Sequence, residues 1–391
     1  MNETPRANRV HIGIFGRTNS GKSSFVNALT NQEISLVSDV KGTTTDPVYK
    51  SIEIHPIGAS VLIDTAGFDD DSILGKERMR ITRKILDKTD VAVVLFASPD
   101  IEKEKEWVAL LKKHSIPTVA LVNKMDSLDY ASLLKKIKDE LFLDALAISA
   151  KEGCNIDLAR EKIALTAEVE RERTICGHLV EAKDVVMLVM PQDIQAPKGR
   201  LIMPQVQTIR DLLDHKCIVV SSTLDNLQEA IGMLKEPPKI IITDSQIFPK
   251  VKAMKPEQST LTSFSVLFSR YKGDIDVFVE GAKSLGNLKA GDKVLIAEAC
   301  THNALDGDIG RIKIPNLLRK NYGEVEVEVV SGANFPDNLD GISVIIHCGS
   351  CMFNRKHVMS RIEKAQDAGV PITNYGLAIA FMNDMMDSIS Y

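Results

Sequence analysis

Gly16-Arg17-Thr18-Asn19-Ser20-Gly21-Lys22-Ser23 matches G-x-x-x-x-G-K-[ST], a spacing suited to holding a chain of phosphates. Its glycines let backbone N–H groups close on phosphate oxygens. Lys22 supplies a point charge to the β- and γ-phosphates, and Ser23 offers its hydroxyl to Mg²⁺. Gly16, Asn19, Ser20 and Ser24 belong to the same nucleotide-facing loop and helix start. A helix beginning at Lys22 adds the partial positive charge of its N-terminus. A chance match in a Gly-rich turn is the plain alternative, and a strand before the loop with a helix after it speaks against that.

Three further clusters follow in order. Asp64-Thr65-Ala66-Gly67 ends an apolar run; Asp64 is expected to reach Mg²⁺ through water, and Gly67 to offer its N–H to the γ-phosphate. Asn123-Lys124-Met125-Asp126 ends another, and the Asp126 carboxylate can accept two hydrogen bonds from guanine N1 and N2. Adenine lacks that donor pair and would leave the carboxylate unpaired, so this position selects GTP. Ser149-Ala150-Lys151 would back the base. Each tetrapeptide is weak alone; four in this order, each at a strand end, are specific. Between the first two lies Gly42-Thr43-Thr44-Thr45-Asp46, where Thr44 is the favoured sensor of Mg²⁺ and γ-phosphate. Lys22, Thr44, Asp64 and Gly67 are thus the expected catalytic set.

A different chemistry stands near the other end of the chain. Cys300-Thr301-His302 and His347-Cys348-Gly349-Ser350-Cys351 each close an apolar run. Ligand sites of α/β domains form at such strand ends. Buried cysteines with chance histidines would fit the scattered Cys154, Cys176 and Cys217, but fit two matched clusters poorly. Structural zinc on three Cys and one His, and an iron–sulfur cluster on three thiolates, are close to even on the residues alone. His302, His347, Asp306 and Asp308 are the candidates for a fourth ligand.

The elements that must carry these residues alternate along the chain. His11 to Phe15, Val61 to Ile63, Val91 to Ala97, Thr118 to Val122 and Leu146 to Ser149 read as buried strands. Helical patterns lie at Lys22 to Leu29, Trp107 to Lys113, Leu133 to Leu141 and Asp157 to Arg173. Such alternation implies an α/β fold with a mainly parallel sheet. A second series has strands at Val185 to Val189, Cys217 to Val220 and Ile240 to Ile242, and helices at Gln207 to Leu213 and Leu224 to Leu234. A third starts near Ser263, with strands at Val294 to Ala297, Val325 to Val330 and Ser343 to Ile346 and a helix from Arg355 to Ala368. The expected domains are 8–172, 173–262 and 263–391.

At 391 residues, two or three domains are expected. The net charge of −5 without a dense Lys/Arg block argues against a nucleic-acid-coating protein. No apolar run approaches the roughly 20 residues of a membrane span, and the start lacks a signal-peptide pattern, so a cytoplasmic protein is expected. In that compartment C-x-x-C favours metal or redox work over structural disulfides.

From Val10 to about Ala167 the nucleotide motifs resemble the MnmE- and Era-like GTPases. That resemblance implies a potassium ion held by Asn19 beside the phosphates. Phe68 stands where Ras-like proteins place the water-orienting Gln; Asp69, Asp70, Asp71 and Glu77 are acidic substitutes among which spacing does not decide. Slow hydrolysis follows, since a missing transition-state charge costs roughly 10³–10⁵ in rate. Over essentially its whole length the order of GTPase, short α/β module and C-x-H…H-C-x-x-C is similar to the [FeFe]-hydrogenase maturation GTPases, the HydF family. The resemblance implies a [4Fe-4S] cluster on Cys300, Cys348 and Cys351, and a scaffold that delivers the diiron subcluster precursor to apo-[FeFe]-hydrogenase. It also implies two radical-enzyme maturases as partners and a dimerisation domain in the middle. A tRNA- or ribosome-associated GTPase with a structural zinc domain is the rival reading, and it lacks a basic stripe or aromatic-rich strand motif to bind RNA.

Overall fold

A computed structural model describes residues 6–30, 48–65, 67, 82, 84–168, 173–191, 199, 201–299, 308–332 and 334–391. The chain divides into two compact units, Met1–Glu172 and Arg173–Tyr391.

The first unit runs β1 (Val10–Gly16), α1 (Lys22–Thr30), β2 (Val48–Ile54), β3 (Gly58–Asp64), β4 (Val91–Phe96), α2 (Glu102–Lys113), β5 (Thr118–Val122), α3 (Tyr130–Leu141), β6 (Leu146–Ala147) and α4 (Ile156–Glu168). The sheet order is β2-β3-β1-β4-β5-β6. Every neighbouring pair is parallel except β2 with β3. Strands β1, β3, β4 and β5 are apolar because both of their faces are covered. Alternate residues feed two cores. Ile12, Ile14, Val93 and Leu121 meet Phe25, Leu29 and Ile163 on one face. Phe15, Ile63, Val94 and Val122 meet Trp107, Leu111 and Ile137 on the other. Edge strand β2 mixes Lys50, Ser51 and Glu53 into its apolar residues and so has no apolar run to betray it. Strand β6 stops two residues short of the expected Ser149, which instead bridges back to Cys154.

The second unit carries two four-stranded parallel sheets. One has the order β10-β9-β7-β8, from β7 (Val185–Val189), β8 (Ile218–Ser222), β9 (Ile240–Thr243) and β10 (Thr260–Ser263). The other has the order β12-β11-β13-β14, from β11 (Lys293–Glu298), β12 (Glu326–Ser331), β13 (Ile342–His347) and β14 (Ile372–Asn374). The helices are α5 (Met203–Asp214), α6 (Leu227–Gly232), α7 (Phe248–Met254), α8 (Phe264–Lys272), α9 (Ile275–Ser284), α10 (Ile314–Tyr322), α11 (Arg355–Asp367) and α12 (Tyr375–Met382). One apolar cluster joins Met187, Val189 and Ile241 of the first sheet to Leu295, Ala297 and Ile345 of the second, with Phe278 and Ala282 of α9 among its members. Helix α9 lies flush on β14, where a Cβ on Gly281 would sit 1.9 Å from the Ile372 carbonyl oxygen. Among the described residues no helix is long and apolar enough to cross a membrane.

Candidate functional site

The phosphate loop leaves β1 at Gly16 and enters α1 at Lys22. Asn19 (φ 61°) and Gly21 (φ 89°) are left-handed on either side of Ser20, a succession that turns backbone N–H groups toward one concavity. Gly21 has a second reason to lack a side chain: a Cβ would lie 2.2 Å from Asn123 Nδ2. Lys22 Nζ donates to the carbonyls of Gly16 (2.9 Å) and Arg17 (2.8 Å), across the loop. Ser23 Oγ donates to Asp64 Oδ2 at 2.8 Å, and Ser24 is half-buried beside it. Burial pushes the Asp64 carboxyl upward, against the Ser23 hydrogen bond and the Lys22 charge. Asp64 Oδ1 and Ser20 Oγ are buried without a hydrogen-bond partner among the described residues. An orphaned carboxylate oxygen beside a lysine and a serine fits a divalent cation next to phosphate. Gly67 approaches the loop so closely that a Cβ would lie 2.4 Å from Thr18 Oγ1.

The base-reading residues meet the same loop. Asn123, at the end of β5, donates from Nδ2 to the Ser20 carbonyl (2.9 Å) and accepts at Oδ1 from Ala150 N–H (3.0 Å). It therefore clamps the phosphate loop to the Ser149–Lys151 loop. Lys124 is left-handed (φ 64°), which turns the chain toward Asp126. Ser149 Oγ donates to Asp126 Oδ1 at 2.7 Å and holds its carboxyl below the usual range; Asp126 and Lys151 are exposed. One contact here had no sequence signal. Arg17 donates from Nε to buried Glu104 (3.0 Å) and from Nη1 to Asp100 (3.0 Å), tying the phosphate loop to α2.

The two cysteine-bearing segments are brought together by sheet register. Strands β11 and β13 are parallel neighbours, with Ala297 opposite His347. Cys348 N–H donates to the Ala297 carbonyl at 2.9 Å, and Ala299 N–H donates to Cys348 Sγ at 3.0 Å. The residue before Cys300 thus touches the Cys348 thiol. Between the two cysteines Ser350 is left-handed (φ 55°), bending the turn. Burial pushes the Cys348 thiol up to about 11 and raises that of Cys351, so both stay protonated unless nearby positive charge compensates the thiolates.

His347 is fully committed. Arg361 Nη1 lies 2.9 Å from His347 Nε2, and since guanidinium only donates, Nε2 accepts. The ring proton is then on Nδ1, which donates to the Cys348 carbonyl (2.9 Å) and sits 2.9 Å from Ser350 Oγ. Burial and the Arg361 charge push this imidazole down to about 3. In this arrangement His347 has no ring nitrogen left for a metal. Asp308 spends Oδ1 on the Arg311 N–H at 2.9 Å. The Arg311 guanidinium in turn pairs with Glu298 (2.9 Å), at the end of β11. Arg361 lies between the rings of Phe335 and Phe353, with His357 stacked on Phe353 at 4.0 Å. Sequence reasoning passed over Arg361 and Lys272, because neither carries a motif. Thr44 with its Gly42–Asp46 stretch, Phe68, Asp69, Asp70, Asp71, Glu77, Cys300, His302 and Asp306 lie outside the described residues. Among the described residues no group of three or more His, Cys, Asp or Glu stands together to hold a metal ion.

Three family models match the chain. The model of the 50S ribosome-binding GTPase matches residues 11–124. The hydrogen maturase F dimerization domain matches 175–273, and the hydrogen maturase F tetramerization domain matches 276–389. Among curated proteins, GTPase Der of Wolinella succinogenes is 36% identical over 166 residues, covering 39% of this chain and 35% of Der. GTPase Der of Campylobacter lari is 35% identical over 173 residues, covering 41% and 37%. The chain spans about a third of the length of these relatives. Among solved structures, Era in complex with MgGDPNP and 16S ribosomal RNA nucleotides aligns at TM-score 0.37 and 18% identity, over 55% of this chain and 91% of that one. The G domain of the T. maritima FeoB iron transporter aligns at TM-score 0.31 and 21% identity, over 41% and 99%.

Proposed function

The chain belongs to the hydrogen maturase F family, whose two models together span more than half of it, and from that premise we propose a GTP-hydrolysing scaffold that carries an iron–sulfur cluster. The observation that supports this reading is the contact of Ala299 N–H with Cys348 Sγ, which brings the chain one residue before Cys300 to the C-x-x-C turn. Joined to a GTPase segment, such a site suits a carrier that loads or hands over a metal cargo in step with nucleotide.

In the nucleotide half, Lys22 holds charge on the β- and γ-phosphates, the loop N–H groups orient them, and Asp126 selects guanine. Ser23, Thr44 and, through water, Asp64 would hold Mg²⁺, which would supply charge neutralisation at the transferring phosphoryl group. With Phe68 in place of a water-orienting Gln, hydrolysis is slow. Asn19 would help hold a potassium ion, which would supply part of the missing positive charge. In the cysteine half, Cys300, Cys348 and Cys351 are the thiolates for a [4Fe-4S] cluster, and three thiolates leave one iron open to exchange. The fourth ligand is then drawn from His302, Asp306, Asp308 or an exogenous group rather than from His347 as it stands. The cargo is the diiron subcluster precursor, the recipient apo-[FeFe]-hydrogenase, and the suppliers the two radical-enzyme maturases. The protein acts in the cytoplasm as a homodimer, its cluster domain taking up 263–391 and its dimerisation domain 173–262.

The test is anaerobic reconstitution with iron and sulfide analysis. The wild-type chain should show a cluster spectrum that Cys348→Ala abolishes; an intact cluster in that variant sinks the assignment. Zinc in place of iron, together with RNA binding, would favour the ribosome-associated reading that the GTPase model's description suggests. Phosphate release should be faster in K⁺ than in Na⁺, and equal rates remove the role given to Asn19.

A further inference from the structure

Lys272 closes α8, and its side chain is buried at 2% exposure. Its Nζ donates to the carbonyls of Ser350 (3.1 Å) and Phe353 (2.7 Å), which flank Cys351. The Phe268 ring lies 5.9 Å from the ammonium. The contact is reciprocal: the Arg355 guanidinium donates back to the carbonyls of Tyr271 and Gly273 at the end of α8. Helix and cysteine turn thus exchange cations for carbonyls. Carbonyl dipoles alone compensate a buried ammonium poorly. Burial pushes the Lys272 ammonium down to about 8, and the groups that pull it back up are Cys351 and Cys348, which become negative only when they give up their protons.

A purely mechanical clasp needs a donor, not a charge. The charge has a use where negative charge accumulates, and a cluster on thiolates is such a place. We propose that Lys272 is a positioning residue of the cysteine site: it fixes the turn carrying Cys351 and supplies a buried positive charge that stabilises the thiolates and the reduced state of their cluster. Hydrogen bonds and net charge around the sulfurs set the potential of such clusters. Lys272 lies in the segment matched by the dimerization model, whereas the turn lies in that matched by the tetramerization model. The contact therefore joins the end of the segment matched by the first model to a turn in the segment matched by the second.

This inference rests on Cys300, Cys348 and Cys351 being cluster ligands, and the wild-type protein checks that first. A wild-type chain without iron and sulfide after reconstitution removes both readings. With the cluster present, Lys272→Gln, Lys272→Met and Lys272→Arg are compared by redox titration followed by electron paramagnetic resonance. Circular dichroism serves as the fold control. Gln keeps a donor without the charge, Met keeps neither, and Arg keeps the charge. The neutral variants should titrate at more negative potential and lose iron to a chelator several-fold faster, while Arg stays near wild type. Neutral variants at the wild-type potential, or an Arg variant shifted as far as they are, would overturn the proposal on its own. Should neither neutral variant fold, Lys272→Arg still decides: the wild-type potential supports the charge role, and a shift to more negative potential overturns it.

Discussion

At the end of β1 the cation Lys22 folds back onto carbonyls of its own loop. At the end of β13 the cations come from elsewhere, Lys272 from α8 and Arg361 from α11. Both sites sit where parallel strands stop, and they manage charge differently. The phosphate loop is built from consecutive residues. Its binding groups are backbone N–H donors, one lysine and one serine, poised for a ligand that brings its own negative charge. On the proposed reading the cysteine turn holds negative charge on the protein itself, and the cations Lys272 and Arg361 are packed behind it. The buried His347 imidazole there is kept neutral by burial and by Arg361. A loop for an exchanging anionic ligand keeps its groups forward, whereas a turn for a resident group is supported from behind.

The sharpest way to break this comparison is Lys22→Ala. Phosphate release should fall roughly 10²–10³-fold, as for loss of one preorganised charge-stabilising group. Iron content should not change, because the loop and the cysteines belong to different compact units. A drop in both would mean that the sites do not load independently. Next is Asn123→Ala, which removes the clamp between the phosphate and base loops. Leaving the Ser20 carbonyl and Ala150 N–H unpaired should cost about 1–3 kcal/mol in the first unfolding transition, with weaker GTP binding. An unchanged melt would place the clamp's energy elsewhere. The smallest effect is expected of Asp64→Asn without nucleotide. Burial raises the Asp64 pKa, so the folded state binds that proton more tightly than the unfolded chain does. Its contribution to stability therefore falls as pH rises from the unfolded value through the raised folded one. A neutral amide escapes this cost and should melt slightly higher at neutral pH, while hydrolysis is lost. A lower melt would show that the Ser23 hydrogen bond outweighs the burial.

The first sheet was legible because apolar runs such as Val91–Phe96 and Thr118–Val122 are buried on both faces and need no polar alternation. Strand β2 was missed for the opposite reason, being an edge with Lys50 and Glu53 in it. Helix α12, Tyr-Gly-Leu-Ala-Ile-Ala-Phe-Met, is almost wholly apolar, so no amphipathic period marks it. Strand β10 and helix α8 follow one another without a break at Ser263, where the pattern had suggested the start of a new series.

The chemistry proposed for this chain was readable from residue order alone: a G-x-x-x-x-G-K-S loop, an Asp126 expected to select guanine, and three cysteines in two clusters. Motifs of that kind are local, so residue type and spacing suffice to name them. The tertiary structure decided what surrounds them. It set β11 against β13 so that Ala299 meets Cys348, turned both ring nitrogens of His347 away to Arg361 and the Cys348–Ser350 turn, and brought Lys272 beneath Cys351. Those contacts join residues far apart in the chain through sheet register and burial, and spacing along a sequence carries no record of either.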